Sequence, residues 1–149
     1  MESVRIYEIP ACRMVSSGSG MFSEGVLEKF MEWMDGQKRS IFPKDFLWFD
    51  GHGFVWYYLY EDGVDVPDEF EIVDFEGGLY AVGTGIDGDE DDALRTKAEI
   101  DAFIEKSGCF EKDPTRAELG NIITPDAAQK AMGYCQMDYY TPVRLRADK

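Results

Sequence analysis

A single histidine, His52, and three widely spaced cysteines, Cys12, Cys109 and Cys135, leave little in these 149 residues for metal binding or nucleophilic catalysis. His52 lies between Gly51 and Gly53, where an exposed turn residue is the plain reading. The cysteines show no CxxC spacing of a zinc site or redox dithiol and read as reduced thiols. What remains is carboxylates and rings. Trp33, Trp48, Trp56, Tyr57, Tyr58, Tyr60, Tyr80, Tyr139 and Tyr140 are more tyrosines and tryptophans than a dry core favours, because each buried hydroxyl or indole N–H needs a partner. A partly hydrated cleft lined by such rings around a carboxylate would hold cationic or polarised organic molecules through ring faces and charge together.

Two acidic motifs invite other chemistry. Gly83-Thr-Gly-Ile-Asp-Gly88 has the GxGxxG spacing of a dinucleotide loop. A pyrophosphate there would face Asp87, Asp89, Glu90, Asp91 and Asp92, so the glycines read as a flexible turn. The same run resembles the start of a calcium loop, but its sixth position is Asp92 where glycine is needed and its twelfth is Ala98 where glutamate is needed. The formal charge of −15 repels phosphate backbones and anionic headgroups, which argues against nucleic acid and membrane surfaces as direct partners. No cofactor is indicated. With no apolar run of membrane-spanning length and no secretion-type leader at Met1-Glu-Ser-Val-Arg5, the expected compartment is the cytoplasm.

The elements that must position these side chains follow from hydrophobic period. Val4 to Ile9 alternates as a strand and stops at Pro10, and Ser16-Ser-Gly-Ser-Gly20 reads as a turn-rich connector. Phe22, Val26, Phe30, Trp33 and Met34 mark the buried face of a helix from Phe22 to Asp35, ending at Gly36. Phe46 to Phe49 and Phe54 to Tyr60 form a hairpin around Asp50-Gly-His-Gly53, and the second strand is uncharged, so both its faces need cover. A second block repeats the order: strands at Glu71 to Phe75 and Leu79 to Val82, a helix from Asp89 to Ser107 ended by Gly108, and late strands around Glu118 and from Met137 to Leu145. Thr124-Pro125 reads as the start of a short extra helix. The expectation is one α+β domain over 1–149, a duplication with halves at about 1–62 and 69–147.

Three motifs in this order resemble the GyrI-like, or AraC-type effector-binding, domain family. Gly78-Leu-Tyr-Ala-Val82 is similar to the strand that opens the family's second half, and Asp138-Tyr-Tyr-Thr-Pro-Val143 to its final strand. Pro114-Thr-Arg-Ala-Glu118 falls where the family carries the glutamate of its penultimate strand. The resemblance implies duplicated βαββ units forming antiparallel sheet, with two main helices and a central ligand cleft around a buried glutamate. It assigns that carboxylate to Glu118 and the neighbouring tyrosine to Tyr140. Asp138 stands where relatives have a second glutamate, and Gly120 where they have an aromatic.

Under this reading Glu118, Asp138 and Tyr140 would bind a ligand, with Trp33, Trp48, Trp56, Tyr58 and Tyr80 as the aromatic lining. The function expected is that of a stand-alone domain for drug-like, aromatic or cationic molecules. The alternative is a hydrolase of electrophilic compounds, in which Glu118 activates water and Tyr140 assists the leaving group. Both leave room for a protein partner or a homodimer.

Overall fold

The computed structural model describes residues 3–38 and 40–147. Two nine-residue strands built alike set the frame: each carries four consecutive buried residues, Met14 to Ser17 in one and Tyr80 to Gly83 in the other. A strand buried on both faces suits small and β-branched residues that pack closely.

In chain order the elements are β1 (Arg5–Ile9), β2 (Cys12–Gly20), α1 (Val26–Asp35), β3 (Asp45–Phe49), β4 (Phe54–Leu59), β5 (Glu71–Phe75), β6 (Gly78–Ile86), α2 (Glu90–Ser107), β7 (Phe110–Lys112), β8 (Leu119–Ile122), α3 (Asp126–Met132) and β9 (Gln136–Leu145). The fold is α+β, and its strand pairs are antiparallel. The chain divides into two compact units, Pro10–Gly77 and a unit made of Met1–Ile9 with Gly78–Lys149. The second of these takes its first strand from across the chain, β1 pairing β6, whereas β2 and β5 pair within the continuous segment Pro10–Gly77.

In the unit Pro10–Gly77 the strand order is β3-β4-β2-β5. Phe30 of α1 is fully buried against Val15 and Phe70, with Trp33, Trp56, Tyr58 and Tyr60 packed around them. Burying a ring of that size stabilises by about 1.5–3 kcal/mol. The expected connector at Ser16 to Gly20 is instead the second half of β2, pairing Ser16 with Tyr57 and Gly20 with Phe54 around a register shift. Gly18 takes a φ of 77° at that shift with open space around it, and a Cβ on Gly20 would lie 3.2 Å from Val26 Cβ, so the small residues answer to a bulge and to the start of α1. The first helix starts at Val26 rather than Phe22, because Glu28 reaches back to the amides of Gly25 (2.9 Å) and Ser23 (3.0 Å). Phe22 stays outside the helix and packs on the rings of Phe54 and Trp56. The hairpin follows expectation: Asp50 Oδ1 accepts from the amides of His52 and Gly53, each at 2.8 Å.

In the other unit the order is β1-β6-β9-β8, with β7 also on β9. One face is covered by α2, whose Ile100 and Ile104 join Val4, Ala81 and Val143 in a core. The helix starts at Glu90, with Asp89 outside it as the cap that accepts from the amide of Asp92 (3.0 Å), and Gly108 ends it at φ 69°, the stop that the sequence predicts. The glycine motif is not a turn at its start. Strand β6 runs on through Gly83 and Gly85 to Ile86, because α2 lies so close that a Cβ on Gly85 would sit 2.6 Å from Thr96 Oγ1 and 3.0 Å from Asp92 Oδ2. The extra helix starts at Asp126, one residue later than Pro125 at its first position would give, and the Thr124 hydroxyl accepts from the amide of Gln136 (2.8 Å).

Candidate functional site

Register and strand alternation decide which side chains share a face. Thr84 lies opposite Asp138, which lies opposite Asn121; Val82 lies opposite Tyr140, which lies opposite Leu119. On β1, Arg5 pairs Val82 and Tyr7 pairs Tyr80. All of these side chains project from the sheet face away from α2, since the alternate residues Ala81, Gly83 and Tyr139 pack toward that helix.

This face is polar and buried at once. Asp138 and Asn121 are 5% and 4% exposed. Asp138 Oδ1 accepts from the Thr84 hydroxyl (2.6 Å) and from Arg5 Nη2 (3.2 Å), and Arg5 Nη2 also reaches Thr84 Oγ1 at 3.1 Å. Both hydrogen bonds converge on one oxygen, so Oδ2 has no protein partner among the described residues. Arg5 Nη1 donates to the Tyr7 hydroxyl (2.7 Å), with its guanidinium carbon 5.1 Å from the centre of that ring. The buried Asn121 Oδ1 has no hydrogen-bond partner among the described residues. Such an acceptor forgoes its hydration and costs about 1–3 kcal/mol unless something else supplies a donor.

Three tyrosines bound the polar group. The Tyr140 ring lies 6.0 Å from Tyr80 and 6.3 Å from Tyr7. Burial first, then the Asp138 carboxylate, push the Tyr140 pKa up to about 12, and the Asn121 amide draws it partly back. The phenol thus stays protonated at neutral pH. Tyr80 is 1% exposed and carries the Arg116 guanidinium 4.8 Å from its ring centre. Arg116 is held by the carbonyls of Leu79 (3.0 Å) and Val143 (2.7 Å) and by Asp113 (3.0 Å).

The expected residues separate into groups. Asp138, Tyr140 and Tyr80 come together as described. Trp33, Trp56 and Tyr58 belong to the α1 side of the other unit, where Trp33 meets the Tyr58 ring edge-on at 5.5 Å and Trp56 Nε1 donates to Asp45 (2.9 Å). Trp48 lies beside Tyr57 on the alternate face of the β3–β4 hairpin, at 5.7 Å, and its buried indole N–H has no hydrogen-bond partner among the described residues.

Glu118 is exposed rather than buried. Strands β7 and β8 run along the same side of β9, and residues 113–118 loop out between them. The loop follows from its sequence: Pro114 offers no amide proton, and Asp113 Oδ1 ties down the amide (3.0 Å) and hydroxyl (2.6 Å) of Thr115, so pairing resumes only at Leu119. Gly120 points toward the α2 side beside Tyr139, so an aromatic there would not have lined the Asp138 face. The residues missed from sequence are Arg5, Tyr7, Thr84 and Asn121. Two signals were present: Arg5 and Tyr7 alternate on one strand, and Asn121 shares the parity of Leu119.

Among the described residues no cluster of three or more His, Cys, Asp or Glu side chains is arranged to hold a metal ion, and the three cysteines are unpaired. No helix among them is long and apolar enough to cross a membrane.

No family model matches the chain, and no curated protein matches it. Solved structures do. A hydrolase from Listeria innocua aligns over 96% of this chain and 92% of its own at 15% identity, with a TM-score of 0.64. The C-terminal domain of EcmrR aligns over 95% and 96% at 13% identity, TM-score 0.61. SAV2435 bound to tetraphenylphosphonium aligns over 97% and 94% at 10% identity, TM-score 0.51. At these identities the likeness shows a shared fold.

Proposed function

We propose that this chain is a GyrI-like small-molecule-binding domain whose ligand is an organic cation with an aromatic body, seated on the α2-distal face of the sheet formed by β1, β6, β9 and β8. The observation that carries the proposal is the buried Asp138 carboxylate, flanked by the Tyr140, Tyr80 and Tyr7 rings, with one oxygen left without a partner among the described residues. A buried carboxylate holds its charge only against a compensating cation. Arg5 supplies one now from a side chain that is 42% exposed, so a ligand cation can take its place while Arg5 turns to water. Support of a coarser kind comes from the shared fold with a protein that binds tetraphenylphosphonium and with the EcmrR C-terminal domain.

Glu118, exposed in the loop before β8, is not the buried anchor in this proposal. The hydrolytic alternative gains less support. It gives the activation of water to Glu118, which is exposed. Calorimetric titration with aromatic cations tests the proposal. Asp138→Asn should weaken binding about tenfold or more, matching loss of a charge-assisted contact of about 1.5–3 kcal/mol. Glu118→Gln should change it less than about threefold, as expected of an exposed charge. Equal binding by wild type and Asp138→Asn would remove the anchor and the proposal with it.

A further inference from the structure

The face that holds Asp138 has a feature that charge alone does not require. Asn121 is its direct cross-strand neighbour, and such pairs place their Cβ atoms about 4.5–5.5 Å apart on the same face. Among the described residues, the buried carbonyl oxygen of Asn121 has no donor and Asp138 Oδ2 has no partner. Two unfilled acceptors therefore stand side by side, 4% and 5% exposed at the residue level. A cation with no N–H groups could neutralise Asp138, but it would leave the Asn121 oxygen as orphaned as before.

We propose that the site selects flat cations rich in N–H donors, such as aromatic amidines and guanidines, over quaternary cations of equal charge. This rests on the ligand-binding reading of the Asp138 face given above. An amidinium has two N–H edges fixed in one plane, so one can serve the carboxylate while the other serves the amide oxygen. The chain already contains the chemistry in miniature: the Arg5 guanidinium bridges Asp138 Oδ1, Thr84 Oγ1 and the Tyr7 hydroxyl through its N–H groups while lying over the Tyr7 ring. A ligand of this class would repeat those contacts and add the Asn121 oxygen, which no described side chain reaches. The three tyrosines would take the aromatic body, and the Tyr140 phenol, kept protonated by burial, adds no competing negative charge.

The test compares 4-biphenylamidine with tetraphenylphosphonium by calorimetry on the full chain, in wild type, Asn121→Leu and Asn121→Ser. Wild type should bind the amidine about tenfold more tightly than the phosphonium, a difference of about 1.4 kcal/mol. Asn121→Leu should remove that preference by weakening the amidine and leaving the phosphonium unchanged. Asn121→Ser, smaller and still polar, guards against a packing artefact and should weaken the amidine in part. If the phosphonium binds as tightly as the amidine and both depend on Asp138, the ligand-binding reading stands and the donor selectivity is overturned. If neither probe binds, both fall.

Discussion

Gly85 offers the sharpest test of how β6 and α2 are joined. A Cβ at this position would meet Thr96 Oγ1 at 2.6 Å, Asp92 Oδ2 at 3.0 Å and Tyr139 Cε2 at 3.2 Å. None of the three can withdraw freely. Thr96 is fully buried and donates to the Asp92 carbonyl (2.8 Å), and Asp92 Oδ2 accepts from the Ile86 amide (2.6 Å). Against an ordinary contact distance of about 3.5–4.0 Å the shortfall approaches 1 Å at the hydroxyl. Overpacking of this kind costs about 1–3 kcal/mol, and breaking the Asp92 bond to Ile86 adds about 1 kcal/mol or more. For a chain of this size Gly85→Ala should lower the melting temperature by about 4–12 °C. Gly83→Ala, whose nearest neighbours are the side chains of Thr96 and Ile100 at 3.1–3.3 Å, should lose less. Thermal denaturation followed by circular dichroism reads both. An unchanged melting temperature for Gly85→Ala would show that these glycines serve loop flexibility rather than helix seating, and the packing argument would fail.

Two further predictions concern titration. Burial raises the Asp45 pKa, with the Trp56 N–H opposing and the Asp35 charge adding to the rise. A raised carboxylate contributes stability that is fully present below its ordinary value near about 3.9 and is lost as pH climbs through the raised value. Asp45→Asn, which keeps an acceptor for Trp56, should therefore stabilise the protein at pH 7 and have little effect at pH 3.5; urea denaturation at the two pH values checks this, and destabilisation at pH 7 would contradict it. Tyr140 titrates at about 12 in the folded chain, so stability linked to its protonated phenol is lost between about pH 10 and 12. Tyr140→Phe should flatten that part of the alkaline denaturation curve, and an unaltered curve would place the phenol in water.

Much of the fold was legible in the sequence because period and capping carry it. Asp89 and Gly108 bracket α2 as read, and Asp50-Gly-His-Gly53 makes the hairpin. Helix starts differ where capping sets them, and the strand limits differ where serine and glycine suggest turns: Gly83 and Gly85 of β6 lie in strand because α2 presses close, and Gly18 of β2 sits at a bulge within the strand. Which side chains share the face of the candidate site was half legible. Asp138, Tyr140 and Tyr80 lie on a single face as strand parity allows, but Glu118 was placed by position along the chain, and the Asp113-Pro114-Thr115 turn ejects it before pairing resumes. Arg5 escaped notice because its partners Thr84 and Asp138 are 79 and 133 residues away, a proximity created only by β1 joining β6.

The central claim is that an aromatic cation binds where Thr84, Asn121, Asp138 and Tyr140 converge. Backbone amide shifts of the isotope-labelled chain, recorded during titration with 4-biphenylamidine, test it most directly. Saturable shifts concentrated on β1, β6, β8 and β9, and abolished in Asp138→Asn, are the expected result. Shifts confined to α1 and the strands it covers, or shifts that persist undiminished in Asp138→Asn, would contradict the account.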